Sequence, residues 1–232
     1  MFAGNNTEEY NYVVNYFLLP SLNMKMVMEQ GVNYNNRSCS RITVTTKTKK
    51  VFDKIFAVNN KYVTYYDTGS FFCNYHSKKI KQPNVVQQLE IVYEDTTARY
   101  SNDNVRKIPE KVMDFFSMLM YIRKLNPEKF ESEKITIDME GEIFAVSLRL
   151  IKEEKIAVSG GEIKTNKIQL VYQKIDKDQV SVLDYTDIFF WKIASEKGKK
   201  YLWIEKEGDR RIIKARFSEG GSWLEAKLIE EK

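Results

Sequence analysis

Residues 188–228 carry the pattern that most restricts the fold of this 232-residue chain. Short apolar and aromatic runs alternate there with charged turns that contain glycine. Glycine supplies the positive φ that tight hairpin turns require, and runs at this spacing favour an antiparallel sheet over βαβ units. We therefore predict an uninterrupted antiparallel meander. Its runs are residues 188–191, 201–204, 212–213 and 223–224, and its turns lie at Gly198, Gly208, Gly220 and Gly221.

The same two-residue period occurs in the N-terminal half of the chain. Leu22, Met24, Met26 and Met28 alternate with mostly polar residues, so they would share one face of a strand. Asparagine, aspartate and serine favour turns because they bond the local backbone, which predicts turns at residues 59–60 and 67–70. Further strands are predicted at residues 41–47, 51–58, 61–66, 71–75 and 89–93, and then at 135–139, 144–150 and 168–172.

Residues 109–125 follow a helical period instead. Pro109 suits the first helical position, and Glu110 complements the positive end of the helix dipole. Pro127 predicts the end of the helix, because proline disfavours helical geometry in the residue before it. Apolar side chains cover most of the circumference, which is typical of a buried helix. They are Val112, Met113, Phe115, Phe116, Met118, Leu119, Met120 and Ile122.

These patterns predict a mainly β fold, with a large antiparallel meander sheet curled into a barrel or half-barrel around one buried helix. The chain would form a single β-rich domain over residues 1–232, with strands at about 9–100, the helix at about 109–125 and strands at about 134–230. Roughly a dozen strands of ordinary length fill these segments, and a sheet of that width curls, splits or closes. Wrapping the sheet around the helix places Phe116 and Leu119 in the core.

The charge of the chain does not indicate a nucleic-acid partner. The 37 basic residues face 32 acidic ones, and the basic clusters at residues 47–50, 78–81 and 197–200 fall near predicted turns or strand ends. Lysines at such positions protect sheet edges from aggregation, and no motif of a known nucleic-acid module accompanies them. We therefore predict that these lysines are solvated. No apolar run reaches the roughly 18 residues of a spanning helix, which predicts no transmembrane segment.

Side chains that most enzymes use are scarce. His76 is the one histidine, which excludes a multi-histidine metal cluster, and on a strand it would face away from Cys73. No nucleophile elbow, phosphate loop or dinucleotide glycine pattern occurs. Glu140 and Glu142 fall at a predicted turn, where we expect solvated carboxylates. We predict no enzyme activity, no catalytic residue, no metal and no cofactor; chemistry run by carboxylates or tyrosines alone stays open.

Three features leave alternatives open. Met24, Met26 and Met28 are the candidate ligand-binding residues, because thioethers adapt to varied apolar ligands, but they would equally well fill the core. The Asp-Arg-Arg sequence at residues 209–211 would bind an anionic group or form a hairpin end. Cys39 and Cys73 would form a disulfide in an oxidising compartment or stay as free thiols.

Several phrases spread over the chain share a resemblance. They are Glu9-Tyr10, Lys47-Thr48 before Val51-Phe52, and residues 61–67, 114–123 and 202–211, with Gly220, Gly221 and Leu228 after the last. Together they resemble the bacterial domain-of-unknown-function 3108 family. The resemblance implies a largely β, exported protein of the periplasm or cell envelope, and it supplies no active-site residues. It also implies an export signal encoded upstream, with residues 1–4 placed ahead of a mature chain.

Two functions remain open at this point. The first is a binding or carrier module that shelters a lipid-like or other amphiphilic small molecule inside the curled sheet. The second is a structural or protein-interaction module of the envelope with a fully packed interior. A carrier requires an apolar cavity of roughly 300 Å³ or more. A scaffold is packed to about the density of an organic crystal.

Overall fold

The computed structural model describes residues 7–16, 19–52 and 56–229. Residues 1–4, predicted to stand ahead of a mature chain, lie outside the described residues. The strands are β1 (Thr7–Tyr16), β2 (Leu19–Tyr34), β3 (Arg37–Thr48), β4 (Asn59–Tyr66), β5 (Cys73–Gln82), β6 (Val85–Glu94), β7 (Thr97–Tyr100), β8 (Val105–Lys107), β9 (Lys134–Met139), β10 (Glu142–Val158), β11 (Gly161–Lys174), β12 (Lys199–Glu205), β13 (Ile212–Glu219) and β14 (Ser222–Ile229). The α-helices are α1 (Phe115–Lys124) and α2 (Ile188–Ala194), and Pro127–Ser132 forms a 3₁₀ helix.

All 14 strands belong to one antiparallel sheet. From one edge to the other the order runs from β8 down to β1 and then from β14 down to β9. β1 pairs with both β2 and β14, with Val13 opposite Lys227, and so joins the first and last strands of the chain. β8 and β9 remain at the two edges, which leaves the sheet open. The predicted mainly β fold with one large antiparallel sheet is confirmed.

The sheet curls around α1. Ile80 of β5 and Ile137 of β9 lie far apart in the strand order, yet they share one apolar cluster with Phe116 and Leu119 of α1. Eight of the ten residues of α1 are buried. A helix enclosed on most sides exposes little surface to water, so side chains around nearly its whole circumference can be apolar. The predicted burial of the helix is confirmed.

An extended segment ahead of α1 spans part of the gap between the two halves of the sheet. On one side, the amide of Cys73 donates to the carbonyl of Val112 at 3.0 Å. On the other side, the amide of Met113 donates to the carbonyl of Thr136 at 3.0 Å, and the carbonyl of Met113 accepts from the amide of Asp138 at 2.9 Å. This pairing satisfies buried backbone groups that the open sheet would otherwise leave bare.

The helix α1 begins later than the predicted residue 109. Asp114 is its N-cap: its Oδ1 accepts from the amide of Ser117 at 2.8 Å, and its own amide donates to the Ser117 hydroxyl at 3.1 Å. This capping box fixes the first turn, and the residues before it are held in β pairing, so Pro109 and Glu110 lie outside the helix. The predicted end near Leu125 is confirmed, since that residue is the C-cap.

Two predicted strands are wrong. Residues 188–191 belong to α2, because Oδ1 of Asp187 accepts from the amides of Phe189 and Phe190 at 3.0 and 3.3 Å and caps the helix. The described residues of segment 51–58 form no strand. Asn60, predicted as a turn residue, lies inside β4, where its side-chain amide donates to the Tyr62 hydroxyl at 3.3 Å.

Candidate functional site

An apolar cavity of about 90 Å³ lies between α1, α2 and the inner face of the sheet. Its walls come from β1, β2, β3, β4, β13 and β14, and the residues that line it are apolar or aromatic apart from Thr46. The cavity is smaller than the few hundred cubic ångströms predicted for a carrier. The residues that line it are Tyr12, Val14, Met24, Met26, Val44, Thr46, Tyr62, Phe115, Phe116, Leu119, Phe189, Phe190, Ile193, Ile212, Ala215, Phe217, Leu224 and Ala226.

Two alanines explain why this space is empty. Ala215 of β13 and Ala226 of β14 are paired directly opposite each other, and both line the cavity. Residues two positions away on the same strands, including Phe217 and Leu224, are buried, so both alanines lie on the inner face of the sheet. Both are only partly buried themselves. Larger side chains at these two positions would fill the interior. The two methyl groups do not, and an empty space therefore remains beside α1.

The methionine stripe divides between two places. Met24 and Met26 line the cavity. Met28 lies near the C-terminal end of α1, with its Sδ 3.1 Å from Nη1 of Arg123. All three side chains share one face of β2, as the alternation predicts, but only two of them meet at the same space. Their proposed role in ligand binding stays a prediction.

The helix α2 covers one side of the cavity. Phe189, Phe190 and Ile193 line it, whereas Trp191 is 51% exposed on the outer side of the helix. The helix is tied to the sheet through its N-cap, since the hydroxyl of Tyr62 on β4 donates to Oδ1 of Asp187 at 3.0 Å. The helix is also tied to β14, because the ammonium of the buried Lys192 donates to the Ser222 hydroxyl.

A buried ionic cluster fixes that N-cap. Lys78 of β5 is fully buried, pairs with Glu140, and has its Nζ 3.3 Å from the Thr186 hydroxyl and 3.6 Å from Oδ2 of Asp187. Burial raises the pKa of Glu140, and the Lys78 ammonium opposes that shift. The predictions of a solvated lysine at 78 and a solvated carboxylate at 140 are wrong. Glu140 does lie in the predicted turn, where its φ is 58°, but its side chain is buried in the interior.

Lys200 is a second exception to the predicted solvated lysines. It is buried at the start of β12, and its ammonium donates to the carbonyl of Ser195 and, at 3.1 Å, to the carbonyl of Gly198. The ammonium also lies 4.6 Å from the centroid of the Tyr172 ring. Burial lowers the pKa of Lys200 to about 8. This lysine closes the loop that follows α2, and it is not among the residues that line the cavity.

The lone histidine belongs to a second buried polar group. Nδ1 of His76 lies 2.8 Å from Oδ2 of Asp114, which also accepts from the hydroxyl of Thr64 at 2.6 Å. The His76 ring lies against the rings of Phe116 and Phe190, each with its centroid 6.1 Å away. Its Nε2 has no partner among the described residues. The group anchors the N-cap of α1, and it does not line the cavity.

Neither cysteine is placed for nucleophilic chemistry. Cys39 and Cys73 are free and buried. Burial, with the charges of Asp114 and Asp138 nearby, raises the pKa of Cys73 well above its ordinary value, so the thiolate is disfavoured. The Asp-Arg-Arg sequence at residues 209–211 lies in the hairpin between β12 and β13, where Arg211 pairs with Glu205 at 2.8 Å.

The pKa of Asp114 gives a pH prediction. Burial alone would raise it, but the hydrogen bond and charge of His76, with Thr64 and the Ser117 amide, hold the pKa below its ordinary value. The ionised carboxylate therefore adds stability above the unfolded-state pKa of about 3.9, and this is lost as pH falls through the folded-state pKa. We expect Asp114→Asn to flatten the fall in unfolding free energy between about pH 5 and pH 2, by about 1.4 kcal/mol for each unit of pKa shift.

Urea denaturation of the wild type and Asp114→Asn at a series of pH values measures this effect. Asp103→Asn, which changes an exposed aspartate, is the matched control and should keep the wild-type slope. A stability gap between wild type and Asp114→Asn that does not change over this pH range would contradict the prediction.

Among residues 7–16, 19–52 and 56–229, no three or more His, Cys, Asp or Glu side chains converge to hold a metal ion. No helix in these ranges is both long and apolar enough to cross a membrane.

Comparisons with known proteins agree with the fold. A crystal structure described as a beta-barrel-like protein of domain of unknown function DUF1849 from Brucella abortus superposes with a TM-score of 0.56 at 10% identity, and it covers 97% of this chain and 96% of that chain. At this identity the likeness shows the fold alone. No curated protein matches the chain. The family model described as "Protein of unknown function (DUF3108)" matches residues 11–227, nearly the whole length, and this chain therefore belongs to that family.

Proposed function

We propose that this protein is a non-enzymatic binding module of the bacterial cell envelope that holds the hydrocarbon chain of an amphiphilic molecule in the cavity under α2. The observation that carries the proposal is the apolar cavity itself, with Ala215 and Ala226 as paired neighbours on adjacent strands of its wall. A sheet that only needed a packed interior gains stability by filling such a space. Two alanines on neighbouring strands keep it open instead.

The size of the cavity restricts the ligand. An apolar cavity of roughly 150 Å³ in another protein accommodates benzene. The present space of about 90 Å³ suits a narrower group, such as a segment of a single alkyl chain. Longer chains require displacement of α2, and the partly exposed side chains of Met24, Phe189 and Ala226 mark where such a chain would enter.

A structural or protein-interaction module of the envelope is the second candidate. The small volume of the cavity favours it, because a scaffold needs no more than the minor packing defects that folded proteins tolerate. The two candidates differ in whether the cavity is occupied by a ligand. Native mass spectrometry of protein purified from its own host, together with thermal shifts over a broad lipid panel, separates them. No co-purifying ligand and no shift with any lipid would reject the binding module.

Filling the cavity is expected to weaken binding without destabilising the fold. Ala226→Leu adds three carbons at the cavity wall. We therefore expect the dissociation constant for a twelve-carbon amphiphile to rise at least ten-fold, which corresponds to about 1.4 kcal/mol. The melting temperature should stay the same or rise, because the new side chain gains contacts in empty space. Isothermal titration calorimetry and thermal unfolding measure the two quantities.

The matched control is Ala157→Leu, which makes the same change at an exposed position of β10. It should bind the amphiphile like the wild type. Equal affinities for Ala226→Leu and Ala157→Leu would show that the chain does not enter the cavity, and the proposed function would then fall.

The proposed location and the lack of enzyme activity rest on different observations. Family membership supports an exported envelope protein, and an export signal upstream in the native gene is the test. His76 and Cys73 are buried and neither lines the cavity, which supports a non-enzymatic role. Turnover of a hydrolase substrate panel that is lost on a single Asp or Glu substitution would overturn that part of the proposal.

A further inference from the structure

A second concave space lies next to the apolar cavity and differs from it in character. It is an open cleft of about 600 Å³ formed where the ends of β3 and β5 meet the start of β4. Lys47, Gln82 and Lys81 line it together with Thr48, Val58 and Asn59. No carboxylate is among the described residues that line it. A polar, cationic cleft beside an apolar cavity has the arrangement that an amphiphile requires.

The cavity and the cleft are neighbours in the fold. Thr46 lines the cavity and Thr48 lines the cleft, and these residues are two positions apart on the inner face of β3. Val58 of the cleft belongs to the same apolar cluster as Phe189 and Ala226 of the cavity. Val58 is 3% exposed, so a molecule that extends from one space to the other has to displace this side chain.

Polar groups along this path lack protein partners. The Oγ1 of Thr46 and the Nε2 of Gln82 are both buried, and neither has a hydrogen-bond partner among the described residues. A buried amide donor costs free energy unless it is hydrogen-bonded, so this group is free to bond a water or a ligand. Lys47 and Lys81 are exposed, and neither pairs with a carboxylate in the described ranges. Their ammonium groups are therefore available to an anion.

We propose that the cleft binds the anionic headgroup, a carboxylate or a phosphate, of an amphiphile whose hydrocarbon chain occupies the apolar cavity. This inference rests on the proposed function and adds the class of ligand. Lys47 and Lys81 supply the positive charge, and the Gln82 amide supplies a hydrogen bond. Both anions accept hydrogen bonds from ammonium and amide groups, so the same side chains would hold either one.

The test compares four twelve-carbon ligands that share a chain and differ in the headgroup: laurate, dodecyl phosphate, dodecanol and dodecyltrimethylammonium. Titration calorimetry below the critical micelle concentrations gives the dissociation constants. Each exposed ion pair changes an equilibrium constant by up to about five-fold. With two lysines, we expect the dissociation constants of the anions to be lower than that of dodecanol by a factor of about ten or more. The cation should bind most weakly, and added salt should reduce the preference.

The double variant Lys47→Gln/Lys81→Gln should lose that preference and bind laurate and dodecanol about equally. Lys107→Gln/Lys129→Gln removes the same charge at exposed positions outside the cleft and should behave like the wild type. Circular dichroism and melting temperatures confirm that both variants fold. A stronger effect with dodecyl phosphate than with laurate, or the reverse, identifies which anion the cleft prefers.

The outcomes separate this inference from the proposed function. If dodecanol binds as tightly as the anions, or if the Lys47→Gln/Lys81→Gln variant keeps the anion preference, the headgroup site is wrong while chain binding in the cavity stands. If none of the four ligands binds, the proposed function fails and the headgroup site fails with it. If Ala226→Leu leaves the binding of the anions unchanged, the headgroup binds in the cleft while the chain lies outside the cavity. That result would also overturn the inference.

Discussion

Replacing Lys78 with alanine is expected to lower the free energy of unfolding by about 3–5 kcal/mol, because removing one member of a buried ion pair leaves the other charge uncompensated. Lys78 is 1% exposed. Its ammonium pairs with Glu140 and lies 3.6 Å from Oδ2 of Asp187, so alanine leaves two interior carboxylates without it. The same ammonium lies 5.1 Å from the centroid of the Phe190 ring, and this contact is lost too. Urea denaturation at neutral pH measures the effect.

Lys79→Ala is the matched control, since Lys79 is the next residue on β5 and is exposed. Its unfolding midpoint should stay close to that of the wild type. The double variant Lys78→Met/Glu140→Gln should recover part of the loss, because it removes both charges and keeps the volume. Equal midpoints for Lys78→Ala and Lys79→Ala would mean that the ionic cluster does not form.

Replacing Phe116 with alanine is expected to destabilise the protein by about 3–5 kcal/mol, the usual cost of removing a buried phenyl ring. Phe116 of α1 packs against Phe115 and Tyr62, with ring centroids 5.3 and 5.4 Å away, and against His76. It also lines the cavity, so its loss enlarges a space that the wall cannot collapse to fill. Chemical denaturation gives the change in free energy.

Phe56→Ala is the control, because that ring is 39% exposed and contributes less buried area. A smaller loss of stability is expected for it. An unchanged melting temperature for Phe116→Ala would require the helix to lie outside the core, and the curled-sheet architecture would have to be abandoned.

The candidate site could be predicted only in part. The alternation at Met24 and Met26 correctly indicates one inner face, and the structure brings these two side chains to the cavity. Ala215 and Ala226 also follow the two-residue period of the terminal meander, so their inward orientation was readable from the sequence. Their direct pairing depends on the register of β13 with β14, and the sequence of the two strands does not fix that register.

The buried charges were missed for a different reason. Lys78 and Glu140 are 62 residues apart, and each has ordinary polar neighbours in the sequence. A charged side chain is buried only where a partner of opposite charge lies beside it, because burying an unpaired charge costs too much free energy. Composition places such residues on the surface by default. The signal that did exist was the aspartate ahead of each helix, Asp114 and Asp187, because aspartate is a preferred N-cap residue. It indicates the start of α1 and a helix where residues 188–191 were predicted to form a strand.

The mainly antiparallel β class, the positions of most strands and turns, and the burial of one helix could be predicted from the order of the amino acids. Those properties come from side-chain period and from turn residues, which act over a few neighbouring positions. The tertiary structure alone decided that β1 pairs with β14, that the segment around Met113 bridges β9, and that α2 covers a cavity beside a cationic cleft. These features depend on contacts between residues far apart in the chain, where packing overrides local preference.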